Sequence, residues 1–387
     1  MKTWLASLTA LALILFSSWR WFLLPEVERN LNKIGSAGYS ETSEQARTLH
    51  RSLIVGDLHA DSFLWARDLS NDASYGHLDL PRARRGNLGI QVFTSVTKSP
   101  RGQNYRENSA DAGDNITLLA VAQGWPPRTW NSLLERALFH SERATALQES
   151  FPEQFRIVHT AEDLRQVLQA RERGASTLAA ILGIEGAHPL EGKLSNIDRL
   201  YDAGFRVMGL QHFFDNELGG SLHGQSEGGL TEFGSLAVQE MDRRSIIIDV
   251  AHSSETVVRD VLALTERPLI VSHTGLKGSC NSPRNISDDL MKEIAERGGL
   301  VGIGFWKGAV CDNSPHNIVK TIRYAVELLG VDHVALGSDY DGSVEVSFDV
   351  GDLDLLTGEM LNQGFTVREI RKVMGENIQE FFLKYLP

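Results

Sequence analysis

Short apolar runs rich in β-branched residues alternate along the chain with stretches in which apolar residues recur every three or four positions. The runs fall at 53–55, 89–93, 178–184, 205–210, 246–250, 269–271, 300–303 and 333–336. Most are apolar at consecutive positions, the mark of strands buried on both faces in a parallel sheet covered by helices. Helical patterns at 161–173, 233–244, 255–265, 288–297 and 317–329 lie between them. Such alternation predicts an α/β fold, a (β/α)8 TIM barrel. The excursion at 94–176 is expected to place extra helices over the top of the barrel.

Polar residues follow the runs. The first is followed by Asp57-Leu58-His59-Ala60-Asp61, which puts His59 and Asp61 two residues apart and so on one face of an extended chain. Later runs end in Glu185, Gln211-His212, Asp249-Val250-Ala251-His252, Ser272-His273 and Gly337-Ser338-Asp339. In a barrel these ends converge on the C-terminal face, where active sites sit. One histidine after a strand is ordinarily a hydrogen-bonded structural residue. Four at strand ends, together with carboxylates, point instead to a metal site without thiolates, zinc first. Five ligands exceed the needs of one open tetrahedral site, so the count predicts two zinc ions sharing Glu185. His59 and Asp61 complete one set, His252 and His273 the other. Asp57 and Asp249 are expected to orient ligands or cap loops. His50, His140, His159 and His316 read as solvated, His333 lies at the wrong strand end, and His188 and His223 stay undecided.

Composition narrows the field. With 42% hydrophobic and 23% charged residues the chain can fill a large core, which excludes disorder. Its 38 basic against 50 acidic residues give a formal charge of -12, which disfavours nucleic acid as a partner. Two cysteines allow one bridge but no cysteine-based zinc module.

The N-terminus carries an apolar stretch at 4–24, with Trp19 and Trp21 placed for the interfacial belt and Arg20 for snorkelling. Read as an uncleaved anchor, it tethers an extracytoplasmic catalytic domain, periplasmic or extracellular. Read as a signal peptide cut near Ser18, it gives a secreted protein. The division is then 1–25 for anchor or signal, 26–50 for a linker and entry segment, and 51–387 for the barrel.

The motifs together resemble the renal or membrane dipeptidases of the metal-dependent amidohydrolase superfamily. The matching pieces include the first-strand motif, Leu78-Asp79-Leu80-Pro81, Gly183-Ile184-Glu185-Gly186, Gln211-His212, Val271-Ser272-His273, Arg284-Asn285-Ile286-Ser287 and Gly337-Ser338-Asp339-Tyr340-Asp341-Gly342, in family order. The resemblance implies a zinc dipeptidase that uses a metal-bridging hydroxide. Its metal ligands would be His59, Asp61, Glu185, His252 and His273. His212 would lie near the scissile carbonyl, Arg284 would hold the substrate carboxylate and Asp339 would transfer protons. The expected partners are a dipeptide, the membrane and, as a candidate, a second copy of the chain. Alternatives are a binuclear amidohydrolase acting on a lactam or acyl-amide, and a non-catalytic metal-containing binding protein. On composition alone, Arg284 would instead pair with Asp288 or Asp289. Cys280 and Cys311 lie in loops after the sixth and seventh runs, and position, an oxidising compartment and the family pattern together predict that they pair.

Overall fold

The computed structural model describes residues 23–35 and 42–387. Its strands are β1 (Val55–Ala60), β2 (Leu88–Val96), β3 (Phe155–Ile157), β4 (Leu178–Glu185), β5 (Phe205–Gly209), β6 (Ile247–Asp249), β7 (Ile270–Thr274), β8 (Leu300–Ile303) and β9 (Val334–Leu336). They pair in parallel in the order β1-β2-β4-β5-β6-β7-β8-β9. Ala60 and Tyr340 form a parallel bridge across the remaining seam, where the Asp61 N–H donates to the Tyr340 carbonyl at 2.8 Å. The ring is the eight-stranded (β/α)8 barrel that the run pattern predicts.

The helices between the strands begin where a hydroxyl can satisfy free N–H groups. Thr231, Ser254 and Ser314 accept from Gly234, Val257 and Asn317, and Thr160 forms a capping box with Asp163.

Two expectations about the early chain change. The first strand lies at 55–60 rather than 53–55, because Asp57 and His59 interrupt the apolar pattern yet are satisfied inside the barrel. Asp57 accepts from Gln91 Nε2 at 2.7 Å, the Ser338 N–H at 2.7 Å and Ser338 Oγ at 2.8 Å. The excursion is not all above the barrel either. After helices at Asn115–Gln123 and Leu133–Ser150 it descends to β3, which pairs with the opening residues of β4 at the opposite end.

Strand alternation divides the barrel interior into two layers. Ile90, Val92, Ala179, Ile181, Ile247 and Ile270 belong to one apolar cluster, which the C-terminal helix Asn377–Tyr385 closes with Ile378 and Phe382. One step of two further along the same strand faces come Thr94, Asp249 and Ser272, and two such steps beyond Ile181 comes Glu185. Small residues make room there. A Cβ on Gly302 or Gly337 would lie 2.1 or 2.0 Å from the Ser272 carbonyl oxygen.

The stretch expected as a linker and entry segment holds helices Leu24–Leu31 and Glu44–Arg51. The first is docked on the barrel: Glu28 is buried and pairs with Arg67 at 2.9 Å, and Arg67 reaches Asp341 at 2.7 Å. Residues 1–22 of the segment read as anchor or signal lie outside the described residues. Among those described, no helix is long and apolar enough to cross a membrane.

Candidate active site

Strict alternation would send Ser272 and His273 to opposite faces of β7. A register shift between Val271 and Thr274 turns both toward the barrel mouth, and another between Asp57 and Ala60 brackets His59. The five expected ligands therefore meet around Glu185, which ends β4. Its Oε1 lies 3.5 Å from His59 Nε2, 3.2 Å from His252 Nε2 and 3.4 Å from His273 Nε2. Asp61 Oδ2 is 3.6 Å from His59 Nε2, and the other oxygen of Glu185 faces His212 Nε2 at 3.5 Å. All six side chains are buried.

Partners behind this cluster set its chemistry. Ser272 Oγ donates its one proton to Asp249 Oδ2 at 2.6 Å. Its lone pairs then face His59 Nδ1 at 3.1 Å and His273 Nδ1 at 2.9 Å, so both rings donate from Nδ1. In the neutral rings this network assigns a lone pair to each Nε2, directed toward Glu185. Asp249 thus takes the orienting place expected of it, through Ser272. Thr94 Oγ1 orients Asp61 in the same way, donating to its Oδ1 at 2.7 Å.

The pocket is built for a cation. Burial opposes charge on His59, yet the Glu185 and Asp61 carboxylates outweigh it and draw the imidazole up to about 10. Burial, reinforced by Asp61, raises Glu185 well above the usual carboxylate range. Burial lowers His252 and His273 far below the usual imidazole range, with Arg284 and His59 adding to it, while their Nε2 atoms approach to 3.0 Å. Two neutral nitrogens aimed at each other and at a carboxylate form a donor set that fits a divalent metal.

Asp339 is buried at the same mouth with a left-handed backbone, φ 62°, which a non-glycine residue adopts only where its surroundings enforce it. Burial pushes its carboxyl up to about 8, opposed by His59 and reinforced by Asp61. His212 is held neutral by burial, pushed down to about 4, with Nδ1 3.4 Å from the Lys98 carbonyl. Arg284 does not pair with Asp288 or Asp289. It is buried, donating from Nη1 to the Ala251 carbonyl at 2.7 Å and from Nη2 to the His273 carbonyl at 2.5 Å. Its Nε has no hydrogen-bond partner among the described residues. The loop before it is tied by a disulfide between Cys280 and Cys311, the predicted pair.

The model of the membrane dipeptidase family, peptidase family M19, matches residues 43–384. The chain belongs to this family. It is a metal-dependent dipeptidase, a hydrolase acting on peptide bonds. The dipeptidase aclJ of Aspergillus oryzae is 27% identical over 347 residues, covering 83% of this chain and 76% of that protein. The solved structure of dipeptidase AC, also of family M19, superposes with a TM-score of 0.73 at 23% identity, over 87% of this chain and 99% of that one. A metallo peptidase from Rhodobacter sphaeroides, liganded with a phosphinate mimic of the dipeptide L-Ala-D-Ala, gives 0.71 at 24%, over 87% and 99%.

The remaining histidines of the dipeptidase divide differently from the sequence reading. His50 is buried between Thr357 Oγ1 and the Gly86 carbonyl, and His140 is buried against Trp125. Neither is solvated. His159 is half-buried and His316 exposed. His223 backs onto His252 and faces the Tyr105 carbonyl at 3.0 Å, whereas His188 stacks on Phe214 outside the donor cluster. Thr94, Tyr105 and Trp306 escaped the sequence reading. Thr94 carried a signal, as a polar residue on the inward face of β2. Tyr105 and Trp306 reach the pocket from loops whose path no periodicity encodes.

Proposed function

We propose that the dipeptidase uses two zinc ions, His59 and Asp61 serving one, His252 and His273 the other, with Glu185 shared. The support is the position of Glu185, whose Oε1 lies within 3.5 Å of three imidazole Nε2 atoms from β1, β6 and β7 or their ends. Bound there, the pair would supply Lewis-acid polarisation of the scissile carbonyl and an acidified water. Arg284 binds the substrate's C-terminal carboxylate through N–H groups along its guanidinium edge, its Nε being without a partner among the described residues. His212 stabilises the carbonyl oxygen as negative charge develops. That role needs the tautomer carrying its proton on Nε2, which gives up only the long 3.4 Å approach to Lys98. Asp339 moves the proton from the attacking water to the leaving amine. The dipeptide mimic held by the Rhodobacter sphaeroides protein supports this substrate class.

The observation that carries the reading is that Arg284, whose buried Nε has no hydrogen-bond partner among the described residues, lines the same cavity as the metal donors. A carboxylate held there while the carbonyl sits over Glu185 would limit the substrate to one residue after the scissile bond. Steady-state kinetics on a dipeptide and on its C-terminal amide test this. The dipeptide should be cut and the amide spared, and Arg284→Ala should lower kcat/KM for the dipeptide by about 2 kcal/mol or more with zinc content unchanged. Equal cleavage of dipeptide and amide by the wild type would refute the clamp.

We also infer that residues 4–24 tether the enzyme to a membrane with its catalytic domain outside the cytoplasm. Support comes from the length and apolarity of the stretch and from its interfacial tryptophans.

A further inference from the structure

The cavity that holds the metal donors is larger than a dipeptide of two small residues requires. Its volume is about 600 Å³, within the range that accepts a drug-sized ligand. One end is the polar cluster described above. The rest is a mostly apolar trough that includes Leu64, Trp65 and Val96, which pack in one buried cluster. Val27 and Leu31, from helix Leu24–Leu31, and Leu118 and Leu119, from helix Asn115–Gln123, also line it. Val27, Leu31 and Leu118 are 41%, 45% and 58% exposed, so the trough presents uncovered apolar surface to whatever enters.

The helix that carries Val27 and Leu31 is firmly placed. Beyond the buried ion pair of Glu28 with Arg67, Asn32 Oδ1 accepts from the Ser343 N–H at 2.8 Å, and the Gly35 N–H donates to the Val346 carbonyl at 2.7 Å. These links fasten it to the same loop that carries Asp339. The family match begins at residue 43, so this wall lies outside the part of the chain that the family model describes.

The order of groups along the cavity gives the trough a direction. Arg284 touches His252 and His273. The trough residues adjoin Asp61 instead: Leu64 and Trp65 follow it in the chain, and Val96 follows Thr94, which bonds Asp61. A dipeptide with its carboxylate on Arg284 and its carbonyl over Glu185 points its N-terminal residue at the trough. We propose that the trough is a specificity subsite that selects dipeptides with a large apolar side chain on the N-terminal residue, and that Val27 and Leu31 are its specificity-determining wall. This rests on the dipeptidase reading and on the Arg284 clamp. Among the described residues lining the cavity, the carboxylates are Asp61, Glu185 and Asp339 and the guanidinium is Arg284, all at the polar end, while Ser99, Gln103, Asn115 and Ser343 are uncharged, so no ionised group beside the apolar residues would pair with a charged side chain.

The test is kcat/KM of the zinc-loaded full-length protein on Xaa-Ala dipeptides with Xaa Gly, Ala, Leu, Phe or Asp. Phe-Ala and Leu-Ala should exceed Gly-Ala by roughly tenfold or more, the scale of discrimination an apolar pocket reaches. Val27→Asp and Leu31→Asp should each shrink the Phe-Ala to Gly-Ala ratio several-fold, with thermal melts checking that the fold is kept. Calorimetry with phosphinate dipeptide mimics bearing Phe or Gly at the N-terminal position should give the same ranking and the same loss in both variants. Cleavage of every dipeptide at similar efficiency would overturn the subsite and leave the dipeptidase reading standing, whereas cleavage of none would overturn both. A preference for Phe that survives both variants would remove the helix from the subsite. A preference that appears only after deletion of residues 1–22 would mean that the chain's own N-terminus fills the trough, which also overturns the proposal.

Discussion

Two layers of one barrel, built on the same strands two residues apart, follow opposite rules. At the lower end Ile90, Val92, Ile181, Ile247 and Ile270 pack into a dry cluster sealed by Ile378 and Phe382. At the upper end Thr94, Glu185, Asp249 and Ser272 continue the same faces as a buried polar cluster in which carboxylates and imidazoles crowd together. Burial of apolar surface stabilises the first. In the second, burial works against the carboxylates, raising Glu185 and Asp339 out of the usual range. A divalent cation bound there would favour their ionised forms. The lower layer thus holds the fold so that the upper layer can remain unfavourable until it is loaded.

That contrast breaks first at Ile181. Ile181→Ala should remove about 2–5 kcal/mol of stability in denaturant unfolding, the range for a large-to-small change in a closed core, with zinc content per folded chain unchanged. The mirror experiment belongs to the upper layer. Ser272→Ala removes the hydroxyl that fixes the rings of His59 and His273, so zinc affinity in competition with a chelator should fall roughly 10–100-fold while the unfolding midpoint of the metal-free protein moves little. A drop in stability as large as that of Ile181→Ala would erase the distinction between the layers.

The smallest effect sharpens the comparison away from the metal site. His140 is buried against Trp125 with no hydrogen-bond partner for either ring nitrogen among the described residues, and burial lowers it to about 3. The unfolded chain takes up a proton on this residue below its ordinary value of 6.5 while the folded chain does not, so stability falls as the pH drops from 6.5 toward 3. His140→Leu should flatten the pH dependence of unfolding in that window by on the order of 1–3 kcal/mol and leave stability at pH 8 nearly unchanged.

The barrel was legible because apolar runs and helical periodicity survive without knowledge of partners, and the donors were legible because each follows a run. What stayed hidden depends on contacts between distant residues. His50 looks solvated until Thr357, 307 positions away, supplies its partner. Helix Leu24–Leu31 reads as a polar linker because Glu28 is buried only by virtue of Arg67 and Asp341. The run at 53–55 stops short of the end of β1 because Asp57 and His59 look like loop residues until Gln91, Ser338 and Ser272 satisfy them. The unpartnered Arg284 Nε could not be read from a sequence in which Asp288 and Asp289 stand close by.

The central claim is that Glu185 joins two metal sites in the upper layer, and elemental analysis of purified, zinc-replete protein tests it most directly. The wild type should carry about two zinc ions per chain, and Glu185→Ala should lose most of both, because one side chain serves each site. Full zinc occupancy in Glu185→Ala, with the fold intact by thermal melt, would contradict the shared carboxylate and the two-metal centre built on it.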